Sequence, residues 1–235
     1  MNQPLPVWAR LAGELAVIIA GVLIALSADS WIDIRQDRRT EAEHLAALVE
    51  EFDESLTALE VAREYKLQQM ADLQRLLSSP IRDLEPDSLD AWIYDGVYVT
   101  RSYVPVLSAL RDLEDSGELD VIDDPEIRRG LALLGTRLEL VSTGYDEFLV
   151  YHQTVVDPFI ATELPAVHLL GPRNGLREVS GDGPDWSVLD SERARGILVF
   201  KLSLIGNYLR ALDSLDLQFT TLRGLMSERL RALDA

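Results

Sequence analysis

The spacing of hydrophobic and polar positions divides the chain into one apolar segment and a longer amphipathic part. The apolar segment is the uncharged run 15–28, LAVIIAGVLIALSA. Extended back to Leu11, it has 18 residues and a single ionisable side chain, Glu14. A helix that crosses a bilayer needs ~20 mostly apolar residues. The pattern therefore predicts a transmembrane helix over residues 11–28, after a short N-terminal flank at residues 1–10.

Two tryptophans flank this segment. Trp8 and Trp31 lie 23 residues apart, which is roughly 35 Å along a helix, and Trp side chains prefer the two interfaces of a bilayer. A cleaved signal peptide and a helix buried in a protein core are the two alternatives. Signal peptides begin with a basic region, whereas only Arg10 precedes Glu14 here. We therefore expect a retained anchor, with Trp8 and Trp31 at the membrane interfaces.

Small residues recur along two adjacent faces of the predicted anchor: Ala12, Ala16 and Ala20 on one face, and Gly13, Gly21 and Ala25 on the other. Small residues let helices approach closely in lipid, so these faces predict self-association or docking on another membrane protein. The alternative is that Ala and Gly are simply common in membrane helices. Glu14 is the one ionisable group at membrane depth. Such a group either pairs or handles protons, or it extends to the nearby interface, and we favour the second interpretation.

The remaining residues, 29–235, show apolar positions at steps of three and four, which is typical of amphipathic helices. No Gly or Pro occurs between Val22 and Ser79, so the anchor is predicted to continue into one long helix that ends near Ser78, with a local break near residues 29–40 as the alternative. Two more long helices are predicted over 125–156 and 188–232, the first of them starting with an Asp cap at Asp124 and with Pro125 at its first position. Pro158 is expected to end the first of these at the latest, and Lys201 alone interrupts the apolar face of the second.

Shorter elements are predicted between the long helices. Asp87 is expected to cap a helix over 88–97, and Val104-Pro105 to open another that ends at Gly117. Residues 95–103 would also suit a short strand. A Gly- and Pro-rich segment at about 163–187 is predicted to be a long loop. The fold class is therefore all-α, an antiparallel bundle of three long helices of coiled-coil character and two or three short ones.

Charge narrows the choice of partners. The chain has 22 Lys and Arg against 40 Asp and Glu, a net charge of −18, and Arg10 and Glu14 cancel within the first 28 residues. A surface of that sign repels phosphate, so nucleic acid is not expected as a partner. Positive residues favour the cytoplasmic side of a membrane. Arg35, Arg38 and Arg39 outnumber Arg10 and the α-amine, which leans towards a cytoplasmic soluble domain by a margin of one or two charges.

Known catalytic and metal-binding patterns are absent from the sequence. It has no cysteine and no Walker loop, Rossmann fingerprint, zincin motif or EF-hand loop. The three histidines, His44, His152 and His168, are far apart, and His152 ends an apolar stripe as a core histidine would. The acidic cluster at 50–54 is interpreted as a solvated helix face, because consecutive helical positions do not converge. We expect no catalytic residue, metal site or cofactor.

The N-terminal segment Gly13-Glu14-Leu15-Ala16-Val17-Ile18-Ile19-Ala20-Gly21-Val22-Leu23-Ile24-Ala25-Leu26, followed by Trp31, resembles the start of a family of bacterial membrane proteins of unknown function. The segments 113–122 (LEDSGELDVI) and 124–128 (DPEIR) and the pair Pro158-Phe159 are similar to later patterns of that family. The resemblance implies a retained anchor in the bacterial inner membrane and a helical domain. In that family the domain lies outside the cytoplasm, so the side of the membrane stays open. The resemblance implies no activity.

Two functions are compatible with these features. The first is a non-enzymatic scaffold, assembly factor or accessory subunit that is anchored in the lipid bilayer and forms a homo-oligomer or docks on another membrane protein. The second is a membrane-tethered helical bundle that senses a ligand and reports through a partner. Its pocket would lie near five aromatic residues, Trp92, Tyr94, Tyr98, Tyr103 and Tyr145.

Overall fold

A computed structural model describes residues 7–176 and 184–233, with the side-chain surroundings of residues 7–20, 24–30 and 86–87 left out. Every regular element in these ranges is helical, which confirms the all-α prediction. The α-helices are α1 (Val7–Ser78), α2 (Pro86–Trp92), α3 (Ser108–Ser116), α4 (Pro125–Tyr151), α5 (Asp157–Glu163), α6 (Ala166–Leu170) and α7 (Glu192–Leu233). Two π-helical turns, Ile93–Tyr98 and His152–Val156, continue α2 and α4.

Helix α1 is one continuous helix of 72 residues, as the absence of Gly and Pro predicted. Residues 31–39 are exposed, and burial begins at Glu41. From there the apolar side chains recur every three or four residues, with Leu45, Leu48 and Phe52 fully buried. Helix α1 therefore enters the bundle at Glu41 and contributes one wall of its core as far as Ser78.

Helix α7 runs antiparallel to both α1 and α4. The ring of Phe52 in α1 meets the ring of Phe219 in α7 edge to face, with centroids 4.8 Å apart. The rings of Tyr145 in α4 and Tyr208 in α7 lie 5.8 Å apart. Helices α1 and α4 consequently run parallel, and residues 79–124 carry the chain back along the bundle. The predicted antiparallel arrangement therefore holds for α7 against each of the other two long helices, but not for α1 against α4.

The two ends of the bundle are marked by contacts between distant residues. We call the end that contains Glu41, Asp123 and Arg229 the base, because α1 enters there. The opposite end is the tip, where the backbone N–H of Ile81 donates to the carboxylate of Asp190 at 3.0 Å. Buried apolar residues form one cluster towards the base and a second towards the tip.

Several predicted helix ends are confirmed. The Asp124 side chain accepts hydrogen bonds from Glu126 N and Ile127 N at 2.8 and 3.2 Å, so it caps α4 as expected. Gly117 ends α3 with φ of 74°, a left-handed conformation that glycine adopts without strain.

Other predicted boundaries are wrong. Helix α2 begins at Pro86 with Glu85 as N-cap, so Asp87 is not the cap. Helix α3 begins at Ser108 rather than at Val104-Pro105.

Three interpretations of the chain between the helices also need correction. Pro158 does not end the second long helix, because the π-helical turn before it places this proline in the first turn of α5, where a missing N–H costs no helical hydrogen bond. Residues 95–98 are π-helical instead of extended. The predicted loop at about 163–187 contains α6 and short 3₁₀ turns, and residues 177–183 of it lie outside the described residues.

Two glycines of α4 give a matched test of how tightly α4 and α7 pack. A Cβ at Gly130 would overlap the Cδ2 of Leu222, whereas a Cβ at Gly135 would meet no atom within 4 Å. Gly135→Ala is expected to stabilise the fold by about 0.4–1 kcal/mol through reduced entropy of the unfolded chain. Gly130→Ala makes the same gain but adds overpacking of about 1–3 kcal/mol against the buried Leu222. Urea unfolding followed by circular dichroism checks the order. Equal stability of the two variants would contradict this packing.

Candidate functional site

The residues predicted for the membrane segment fall mainly outside the described side chains. These are Trp8, Ala12, Gly13, Glu14, Ala16, Ala20 and Ala25, while Gly21 and Trp31 lie within the described part. A Cβ at Gly21 would meet nothing within 4 Å, so its surface is open to a neighbour. Trp31 is 61% exposed, and the guanidinium of Arg35 lies 5.3 Å from the centre of its ring. Among the residues that the structure describes, no helix carries an apolar stretch long enough to cross a membrane.

A buried carboxylate closes the base of the bundle. Arg229 of α7 donates from Nε and Nη2 to the two oxygens of Glu41 in α1, at 2.9 and 2.8 Å. The backbone N–H of Asp123, just before α4, also donates to Glu41 at 3.1 Å. Hydrogen bonding to Glu41 raises the pKa of Arg229 above its ordinary value. One side chain therefore joins the three long helices where α1 enters the bundle.

A second buried carboxylate, Glu51, caps α3 from outside that helix. It accepts hydrogen bonds from Ala109 N at 2.6 Å, from Ser108 Oγ at 3.0 Å and from Leu110 N at 3.3 Å. The N-cap position of α3 is Leu107, which has no side-chain oxygen, so Glu51 satisfies N–H groups that would otherwise lack a partner. The interpretation of the whole cluster at 50–54 as a solvated face is therefore wrong for Glu51.

Two lysines and a histidine are buried together towards the tip. Lys66 of α1 and Lys201 of α7 are 1% and 0% exposed, and His152 opens the π-helical turn after α4. Lys201 Nζ donates to the backbone oxygen of Val97, and His152 Nε2 lies 3.2 Å from the same oxygen. Helix C-termini carry unpaired carbonyl groups, which explains why side chains with nitrogen donors lie at the end of this π-helical turn.

Gln69 connects the second lysine to the same turn. Its Oε1 accepts from Lys66 Nζ at 3.2 Å, and its Nε2 donates to the backbone oxygens of Asp95 and Val99 at 3.0 and 2.7 Å. The ammonium groups of Lys66 and Lys201 lie 4.2 and 5.5 Å from the centre of the Phe148 ring. Such cation–π contacts partly replace the water that burial removes. The cluster thus links α1, α4 and α7 to the turn at 93–99.

Burial controls the protonation of this cluster. It lowers the pKa of Lys66 to about 8. Burial, and then repulsion from Lys66, lower the pKa of Lys201 well below its ordinary value. The pKa of His152 is lowered by burial and by Lys201, against the attraction of Asp157, whose Oδ1 lies 3.1 Å from His152 Nδ1. A neutral lysine is a base and a nucleophile, but these amines are enclosed, so we assign them a structural role.

The sequence holds only two lysines, Lys66 and Lys201, and both belong to this cluster. The rest of the 22 Lys and Arg residues are arginines. Lysine loses its proton readily when it is buried, whereas arginine stays charged. The sequence signals were a polar residue on the α7 face, Lys201, and a gap in the α1 stripe between Leu59 and Met70. Lys201 and the core position of His152 were predicted from the sequence, whereas Lys66 and Gln69 were not.

The five aromatic residues proposed for a pocket are distributed over several contacts. The rings of Tyr94 and Tyr98 stack 5.5 Å apart. The backbone N–H of Tyr103 donates to the hydroxyl of Tyr208 at 3.1 Å, and Tyr145 packs on the same Tyr208 ring. Arg75 lies 5.5 Å from the centre of the Trp92 ring. These contacts account for the aromatic residues as packing and cation–π partners.

Comparison with known proteins gives no further identification. No family model, curated protein or solved structure matches the chain. The resemblance to bacterial membrane proteins of unknown function therefore stays a prediction, and the functional conclusions depend on the chain's own residues.

Proposed function

We propose that the chain is a single-pass membrane protein whose helical bundle acts as a scaffold, assembly factor or accessory subunit through protein–protein contacts, without catalysis of its own. The observation that carries this proposal is the continuity of α1, which runs unbroken from Val7 to Ser78. The apolar segment 11–28 and the helix that lines the bundle core are therefore one element. A partner that binds the anchor would directly fix the position of the bundle.

The exposed part of α1 supports the same proposal. Four apolar side chains of this part are more than half exposed: Val22, Trp31, Ile32 and Ile34. Exposed apolar side chains that follow one another along a helix mark a surface that lipid or another protein covers. The small residues at 12–25 add faces on which a second helix would pack closely in lipid. The expected partners are the lipid bilayer and either a second copy or another membrane protein.

Membrane insertion is the first part of the test. The full chain, expressed in a bacterium, is expected to stay in the membrane pellet during alkaline carbonate extraction. Ile18→Arg/Val22→Arg should release it or prevent insertion, because each arginine at the centre of a membrane helix costs about 2.5–3.5 kcal/mol. Val150→Arg/Val199→Arg, at exposed positions of α4 and α7, is the matched control and should stay in the pellet. Release of the unmodified chain by carbonate would disprove the anchor.

The contact role has its own measurement. Ala16→Leu/Ala20→Leu enlarges the proposed packing face and should abolish the oligomer, or the co-purifying membrane protein, seen after cross-linking in membranes. Leu15→Ile/Val22→Leu, on the side of the helix away from both small-residue faces, should leave the assembly unchanged. A monomer without partners in the unmodified chain would refute the contact role. Reporter fusions at the C-terminus would show the side of the membrane, for which the arginine count predicts the cytoplasm.

A further inference from the structure

The part of α1 between the predicted anchor and the base of the bundle has a charged face of one sign. Arg35 and Arg38 follow Trp31 at four and seven residues, so all three lie on the same face of the helix. Asp33 and Asp37 follow a different face. All five side chains are exposed. A chain of net charge −18 therefore presents a local cationic strip directly after the segment that we propose to cross the membrane.

A groove runs along this strip. It has a volume of about 660 Å³ and is lined by Trp31, Ile34, Arg35, Arg38, Arg39 and Ala42 of α1 and by Leu233 of α7. Its walls combine guanidinium groups with an indole ring and aliphatic side chains. The Arg35 guanidinium lies over the Trp31 ring. Trp31 is the lining residue nearest in sequence to the predicted membrane segment. Arg39 also lines the groove, but its Nε lies 3.0 Å from the carboxylate of Glu43, so Arg35 and Arg38 are the two guanidinium groups without that acidic neighbour.

We propose that this groove binds an anionic phospholipid of the leaflet next to the soluble domain. Arg35 and Arg38 contact the headgroup phosphate, and Trp31, Ile34 and Leu233 pack against the glycerol and the start of the acyl chains. Charge complementarity supports a phosphate ligand, since guanidinium groups bind phosphate oxygens with charge-assisted hydrogen bonds. The apolar walls and the continuity with the apolar segment favour a lipid over a free anion. This inference rests on the proposed membrane anchor.

The test uses the full chain purified in neutral detergent and titrated with phosphatidylglycerol or phosphatidylcholine, with retained lipids counted by native mass spectrometry. We expect retention of phosphatidylglycerol in preference to phosphatidylcholine. Arg35→Gln/Arg38→Gln should weaken phosphatidylglycerol binding roughly 25-fold, because each basic residue contributes about 1 kcal/mol to binding at an anionic membrane surface. Arg35→Lys/Arg38→Lys keeps the charge and should retain most of the preference.

The controls separate this inference from the anchor itself. Arg82→Gln/Arg193→Gln removes two exposed arginines elsewhere and should keep the lipid preference. Both Arg→Gln double variants should stay in the membrane pellet during carbonate extraction, since that property depends on residues 11–28. An anchored chain without headgroup preference, or an unchanged preference in Arg35→Gln/Arg38→Gln, would overturn the lipid site. Displacement of phosphatidylglycerol by inorganic phosphate would also overturn it and indicate a free-anion site.

Discussion

Replacement of Lys201 by methionine is expected to stabilise the fold, although it removes a side chain that is fully buried and hydrogen-bonded. Methionine fills a similar volume without the cost of taking an amine out of water. His152 Nε2 lies 3.2 Å from the same Val97 oxygen and donates to it in the tautomer that carries the proton on Nε2. We expect the free energy of unfolding at pH 7 to rise, at most by the roughly 1–4 kcal/mol that is typical when a buried ion pair is replaced by apolar residues of similar size.

Urea unfolding of the full chain in mild detergent, followed by circular dichroism, gives this difference. Arg210→Met, at an exposed position of the same helix, is the control and should change the stability by less than about 0.5 kcal/mol. A loss of stability in Lys201→Met would show that the amine makes a net favourable contribution.

The same site predicts an unusual dependence on pH. The pKa of Lys66 is about 8 in the folded chain and near 10.5 when the group is free. Between these values the unfolded state binds a proton that the folded state does not, so stability rises with pH. The lowered pKa of Lys201 acts in the same direction. Above pH 10 the trend reverses, because burial raises the pKa of Tyr65 to about 12 and the unfolded chain loses that proton first.

Stability is therefore expected to rise from about pH 8 to a maximum near pH 10. Below pH 6.5 the lowered pKa of His152 should reduce stability further. The two amines face each other and lie near His152, Asp157 and Gln69, and the rings of Tyr65 and Tyr208 are each 5.7 Å from Lys66 Nζ. Lys66→Met/Lys201→Met should abolish the alkaline rise, and unfolding curves at closely spaced pH values would show it. A flat profile in the unmodified chain would contradict the assignment.

Loss of Glu41 is expected to be the most damaging single change at the base of the bundle. Glu41→Ala leaves Arg229 without its bidentate partner and the N–H of Asp123 without an acceptor. Breaking a buried ion pair by removing one partner costs roughly 3–5 kcal/mol. We expect a loss near the lower limit, because Arg229 is 27% exposed and water partly solvates its charge after the substitution. Glu41→Gln keeps one acceptor for Asp123 and should lose less.

The chain offers a matched control two residues away. Glu43 pairs with Arg39 at 3.0 Å on the surface, and exposed pairs contribute about 0–1 kcal/mol. Glu43→Ala should therefore have little effect on urea unfolding. A double-mutant cycle of Glu41→Ala with Arg229→Ala isolates the pair, and a coupling free energy near zero would contradict its role as the contact that joins the long helices.

The sequence was informative about long helices and less informative about short connections. The end of α1 at Ser78, the Asp124 cap and the Gly117 turn were predicted because each depends on a local backbone requirement. Helix α3 was misplaced because its first turn is satisfied by Glu51, which is distant in sequence. Pro158 was misread because a π-helical turn changed the register before it. The lysine cluster was missed as a unit because its three basic residues come from three separate elements.

The confinement of both lysines to the core has a practical consequence for chemical probing. Amine-reactive labels and lysine-specific proteases need an accessible side-chain amine, and in the folded bundle neither Lys66 nor Lys201 provides one. Side-chain labelling should therefore be nearly silent in the native state and proceed only when the tip of the bundle opens. The rate of modification at Lys66 and Lys201, read by peptide mass spectrometry, would report local opening of the bundle without an introduced probe.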